Sequence, residues 1–127
     1  MIDFQDIPEH KANVLEVVAK LAAKYGEPSC GRNRATFIGK NFVFKVARNG
    51  HGEIDNWYEG RVKSEEYCKG RIIKMGEVSV LVQEKVKPYF ECGLTYKQLP
   101  SWVDFIDCAQ VGFDKKGVLK AYDFACN

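Results

Sequence analysis

A lysine stands in the middle of an apolar run, Phe42-Val43-Phe44-Lys45-Val46-Ala47. On an alternating strand Lys45 shares one face with Val43 and Ala47, and Phe42, Phe44 and Val46 share the other. A charge in such a place must reach water, an acid or a ligand. The plain alternative is an exposed sheet face, with the lysine stem lying on its neighbours. Around it, residues 28–50 hold Arg32, Arg34, Lys40, Lys45 and Arg48 and no acid, while the flanking segments are rich in acids. Such density can bind phosphate or nucleic acid, and it equally suits a solvated hairpin face. Cys30, Cys68, Cys92, Cys108 and Cys126 are widely spaced, form no C-x-x-C, and have only His10 and His51 to join them. No metal site is expected from that spacing. The thiols are expected to be reduced, mostly buried small hydrophobes of a cytosolic protein. His10 falls on a helix and His51 in a glycine loop. Neither has a local partner for nucleophilic catalysis.

These residues need elements to position them. A chain of 127 residues with 46% hydrophobic and 28% charged residues suits one globular domain. A net charge of +2 names no partner. The N-terminus MIDFQDIPEH lacks the basic and apolar regions of a secretory signal, and no apolar run is long enough to span a bilayer. Helical spacing of Val14, Leu15, Val18, Leu21, Ala22 and Tyr25 predicts a helix over 7–25, with Asp6 and Pro8 at its start and Gly26 at its end. A hairpin follows, with arms Ala35–Ile38 and Phe42–Ala47 around Gly39-Lys40-Asn41. After the loop 48–52, Ile54, Tyr58 and Val62, with Trp57 beside them, predict a second helix from Ile54 to Tyr67. Arg71–Met75 and Val78–Glu84 form a second hairpin around Gly76-Glu77. Pro100-Ser101 starts a short helical turn through Ile106. A third hairpin pairs Ala109–Phe113 with Val118–Phe124, and Gly117 supplies a positive φ in its turn. The expected organisation is a single domain, 1–127. It comprises an N-terminal helix (1–27), a sheet with a helix (28–90), and a short helical turn with the C-terminal hairpin (91–127).

The order of these parts resembles the small lobe of a protein kinase joined to the catalytic-loop hairpin of the large lobe. In that family a strand lysine holds the nucleotide phosphates and pairs with a helix glutamate. Lys45 in VFKVA matches the lysine, and Glu59 in NWYEGR matches the glutamate, with Glu66 as an alternative. Six residues after Gly117 stands Asp123-Phe124-Ala125, which resembles the family's metal-binding D-F-G. The same spacing puts Gln110 where the family has its metal-binding asparagine and Phe105 where it has its catalytic aspartate. Asp104 is one residue out of register. No G-x-G-x-x-G precedes Lys45, Gly31 is the only glycine of that region, and Ala125 replaces the last glycine of D-F-G. The chain is also similar to small kinase-lobe-like proteins of bacteriophage accessory regions. It shares with them VFK at 43–45, NWYE at 56–59 and QVGFDKKGVLKAYDF at 110–124. That resemblance implies a phage or mobile-element origin and a location in the host cytoplasm.

The resemblance implies an α+β fold: an antiparallel sheet with helices on one side, a truncated kinase-like lobe. Phosphoryl transfer works by positioning and charge neutralisation, and a chain without glycine loop and base lacks most of both. The expectation is therefore a non-enzyme without a cofactor, which binds and inhibits or modulates a host protein, defence systems included. His51, Trp57, Tyr58, Tyr89, Phe90 and Trp102 are the expected contact residues, since aromatics anchor interfaces. The alternative is a pseudokinase-like nucleotide-binding protein using Lys45, Glu59, Asp123 and Gln110. Nucleic acid is a weaker third partner because the charge falls short of a strongly basic footprint. No membrane association is expected, and the oligomeric state is left open.

Overall fold

The computed structural model describes residues 11–123. The expected helix start at 7–10, His10, Phe124, Ala125 and Cys126 lie outside the described residues. The element order is α1 (Lys11–Tyr25), β1 (Ser29–Cys30), β2 (Arg34–Ile38), β3 (Phe42–Ala47), α2 (Gly50–Arg61), β4 (Gly70–Met75), β5 (Val78–Glu84), β6 (Lys87–Pro88), β7 (Val111–Phe113) and β8 (Leu119–Ala121). Short 3₁₀ turns fill Tyr89–Cys92, Tyr96–Gln98 and Ser101–Phe105. The class is α+β. A five-stranded antiparallel sheet runs in the order β1-β2-β3-β5-β4, and β6-β7-β8 form a small second sheet.

Strand alternation assigns each side chain to a face. Thr36 pairs with Lys45, Lys45 with Leu81, and Leu81 with Ile72. Arg34, Thr36, Lys45, Leu81, Gln83 and Ile72 therefore share one face. The other face carries Ala35, Phe37, Val46, Val78 and Val80, which form the main core with Val14, Val17 and Leu21 of α1. Tyr25 stacks on Phe44 with ring centroids 4.8 Å apart. The α1 stripe is thus shifted from the predicted one, because Val17 is buried and Leu15 is 48% exposed.

Helix α2 lies on the Lys45 face, packed on β3, β4 and β5. The two helices consequently cover opposite faces of the sheet, which corrects the expectation that they share one side. The reason lies in the strands. Ala35, Phe37, Val46 and Val80 give one wholly apolar face for α1, while Arg34, Lys45 and Gln83 give a polar face that only a polar helix can cover.

Helix α2 also begins and ends earlier than predicted. The Asn49 side chain accepts from the Gly52 N–H at 2.9 Å and caps the first turn. Gly52 is required there, since a Cβ would lie 2.1 Å from the Asn33 carbonyl oxygen. At the other end Val62 is extended, and the chain leaves for the small sheet. There the Cys68 N–H donates to the Ala121 carbonyl at 2.9 Å.

That small sheet covers a second core of Val103, Ile106, Val111 and Ala121, with Tyr67, Tyr89, Leu99 and Trp102 packed against it. Its hairpin turn forms as predicted. Gly117 has φ 81°, and Asp114 accepts from the N–H groups of Lys116 and Val118, each at 2.9 Å. The first arm starts later than predicted because Cys108 and Ala109 are left-handed, with φ of 55° and 48°. Among the described residues no helix is long and apolar enough to cross a membrane.

Candidate functional site: a buried ion cluster at the base of a cleft

The polar face of the sheet, the side of α2 and the C-terminal hairpin enclose a cleft of about 1390 Å³. Strand β3 carries Lys45 to its base. Lys45 is 4% exposed. It donates to Glu59 Oε1 at 2.9 Å and to the Tyr122 carbonyl. Glu59 is fully buried on the inner face of α2, beside Gly52, Asp55 and Asn56. Glu66, the alternative partner, lies beyond the end of α2 and is exposed.

The residue that sequence reasoning missed is Arg34. Its guanidinium donates twice to Glu59, at 2.9 and 2.8 Å, to Asn56 Oδ1 at 3.1 Å, and to Asp123 Oδ1 at 2.6 Å. This planar fork joins β2, α2 and the chain after β8 in one arrangement. A signal for it existed. Arg34 stands two residues before Thr36, which pairs with Lys45, so parity puts Arg34 on the lysine's face. Beginning the predicted strand at Ala35 left it out.

Two cations, Arg34 and Lys45, meet two carboxylates, Glu59 and Asp123. The buried cations are thus matched by carboxylates, with Asp55 close by, and burial raises the Asp123 carboxyl although Lys45 and Arg34 pull it down. Burial pushes the Lys45 ammonium below its usual pKa, aided by the nearby Arg34 charge, although Glu59 pulls the other way. Burial also opposes the Arg34 charge, yet the Glu59 hydrogen bond and the surrounding carboxylates hold its pKa above the usual value. Burial opposes the Glu59 charge too, but Lys45 and Arg34 hold its carboxyl below the usual range. Burial raises Asp55, with Arg34 opposing. Gln83 donates to Glu59 at 3.4 Å, and its buried Oε1 has no hydrogen-bond partner among the described residues.

The mouth of the cleft is more basic than its floor. Arg32, Lys40, Lys85, Lys87 and Lys115 line it. Lys115 donates to Asn41 at 2.6 Å, which ties the last hairpin to the first. Lys120 bridges Glu84 at 2.9 Å and Asp114 at 3.0 Å.

No family model matches this chain, and no curated protein matches it either.

The other predicted residues divide into groups. Gln110 and His51 line the cleft, and the Gln110 carbonyl accepts from the Tyr122 N–H at 3.0 Å. Asp104 accepts from the Tyr96 hydroxyl, and Phe105 is 89% exposed. Both line a separate groove of about 650 Å³ with Tyr89 and Ile106. Trp57, Tyr58 and Phe90 are exposed. Trp102 and Tyr89 pack against the second core, so their first role is structural. Of the four described cysteines only Cys68 is buried, and burial pushes its thiol up to about 12. Cys30, Cys92 and Cys108 are exposed, which corrects the expectation of mostly buried thiols. Among the described residues no group of three or more His, Cys, Asp or Glu is placed to hold a metal ion.

Proposed function

We propose that this chain is a non-catalytic accessory protein of bacteriophage type, built on a degenerate protein-kinase small lobe, which binds and inhibits or modulates a host protein in the host cytoplasm. The observation that carries the reading is the Arg34 fork. It engages Glu59 and Asp123 together, so a guanidinium competes for the Asp123 oxygen that a magnesium ion would use. The strand-lysine to helix-glutamate pair supports the kinase-like part of the reading. Phe105 at the position of the family's catalytic aspartate, wholly on the surface, supports the non-catalytic part. Magnesium-dependent ATP turnover should stay at the blank level. Turnover that vanishes in Lys45→Met or Asp123→Asn would sink the reading.

For the partner, the 650 Å³ groove lined by Tyr96 and Phe105, with Phe90 beside its Tyr89, is the favoured surface. Phe90, Tyr96 and Phe105 are 61%, 47% and 89% exposed on consecutive 3₁₀ turns. Rigid turns that present large rings suit anchors at an interface. The test is capture from host lysate by the tagged chain, with mass spectrometry, repeated with Phe105→Ala. The expected result is one enriched host protein, with binding weakened by about 2 kcal/mol in the variant. No enriched protein, together with tight, salt-sensitive retention of DNA or RNA, would favour the nucleic-acid reading instead.

The basic mouth of the cleft above a Lys45–Glu59 pair favours one second reading, a nucleotide-binding protein without turnover. A rise in melting temperature with ATP, abolished by Lys45→Met at unchanged fold, would establish it.

A further inference from the structure

Helix α2 is turned inside out. It buries Asp55, Asn56 and Glu59 and presents Ile54 and Trp57 to water, 63% and 57% exposed, with Tyr58 at 36%. Ile72 of β4, 38% exposed, continues the patch, since it lies against Gly60 one turn beyond Trp57. The ion cluster fixes which face of α2 points inward, so the apolar face has no packing role in the fold. Contiguous exposed apolar rings of this kind mark contact surfaces.

The charges on the face say what covers it. Glu53, Trp57 and Arg61 stand four residues apart along one line of the helix, all exposed, with the acid in the first turn and the base in the last. The Arg61 guanidinium already sits over the Trp57 ring, 4.6 Å from its centroid. The line is its own complement under a two-fold rotation. A second α2 laid antiparallel, centred on Trp57, sets Glu53 opposite Arg61 of the other copy and Arg61 opposite its Glu53. The two Trp57 rings then meet at the axis. Isologous interfaces have this reciprocity, in which residue i meets j and j meets i. Antiparallel helices also oppose their dipoles favourably.

We infer that the chain self-associates as a two-fold dimer through the outer face of α2, with a second copy of itself as the occupant. This goes beyond the proposed function, because the aromatic groove offered to a host protein lies on other elements. A 12-residue helix is about 18 Å long. The area that one helix pair covers is below the standard interface, so the dissociation constant belongs at the weak end, on the order of 10⁻⁴ M.

The test is sedimentation equilibrium from about 5 µM to about 500 µM, a range that brackets such a constant. The native chain should pass from monomer to dimer. Glu53→Lys and Arg61→Glu should each weaken dimerisation by about tenfold or more, because each sets like charges together twice. The double variant Glu53→Lys/Arg61→Glu should recover to within about threefold of the native chain. Both swaps work against the dipole of their own helix, so recovery cannot come from a steadier α2. Melting curves of all three variants confirm that each is folded. Monomer mass at every concentration would overturn the inference and leave the face to a different partner. A dimer indifferent to both swaps would overturn it too, by placing the interface elsewhere. Neither outcome bears on capture of a host protein, which is read at Phe105.

Discussion

Glu59 accepts from Arg34, Lys45 and Gln83 while wholly out of water. Removing it leaves two buried cations with Asp123 and the more distant Asp55 as their carboxylates. Glu59→Ala should therefore cost about 3–5 kcal/mol, the usual penalty for stranding a buried charge, as measured by urea unfolding. Its pH dependence has a fixed sign. The folded carboxyl is held below its ordinary pKa by Lys45 and Arg34, although burial works the other way. Its stabilising contribution is thus complete above the unfolded value of about 4.3 and is lost as pH falls through the lower folded value. Asp55 runs in the opposite sense: burial raises it, so its contribution declines as pH rises past the usual carboxylate value. The stability difference between the native chain and Glu59→Gln isolates Glu59. It should be large at neutral pH and shrink below about pH 4. A difference that stays constant from neutral to acid would show that Glu59 is not held ionised by the cluster. The lysine and the glutamate were readable from a strand pattern and a motif. Arg34 was readable only through strand parity, and Asn56 and Gln83 through nothing but the fold.

At the scale of elements, both hairpins of the large sheet and the Gly117 turn were legible, because alternation and turn residues are local signals. The orientation of α2 was not. Its apolar residues recur at helical spacing, and periodicity assigns such a stripe to the core. The competing demand of Arg34 and Lys45 for a polar helix won, and that demand is invisible until β2 and β3 are paired. The consequence is measurable. Trp57→Ala should leave the stability of the monomer within about 0.5 kcal/mol, whereas Trp102→Ala, packed on the second core, should cost about 3 kcal/mol. A large loss in Trp57→Ala would put the ring in the core after all. The start of α2 has its own test. Asn49→Ala removes the cap and should cost about 1 kcal/mol. Gly52→Ala should cost more, because its Cβ would collide with the Asn33 carbonyl.

At the scale of the molecule, two cores lie under two sheets, and polar contacts join them. The Arg34–Asp123 ion pair, the Lys45 bond to the Tyr122 carbonyl and the Lys120 bridge to Glu84 hold the hairpin onto the large sheet. Arg34→Lys keeps the charge but loses the fork, and a lysine cannot reach Glu59, Asn56 and Asp123 together. Amide exchange in Leu119–Ala121 should then rise by about tenfold while β3 and β5 stay protected. Equal exchange throughout would mean that the two sheets open as one unit. The Arg34–Asp123 pair spans 89 residues of chain, and the large sheet is complete by Glu84. On the ribosome, that sheet and α2 are available to fold well before Asp123 has left the exit tunnel. During that interval Arg34 has Glu59 and Asn56 but not its third acceptor, and the basic mouth of the cleft has no hairpin beside it. The cleft is therefore open on its hairpin side until Asp123 emerges, and arrival of that one residue completes the cluster and closes the window.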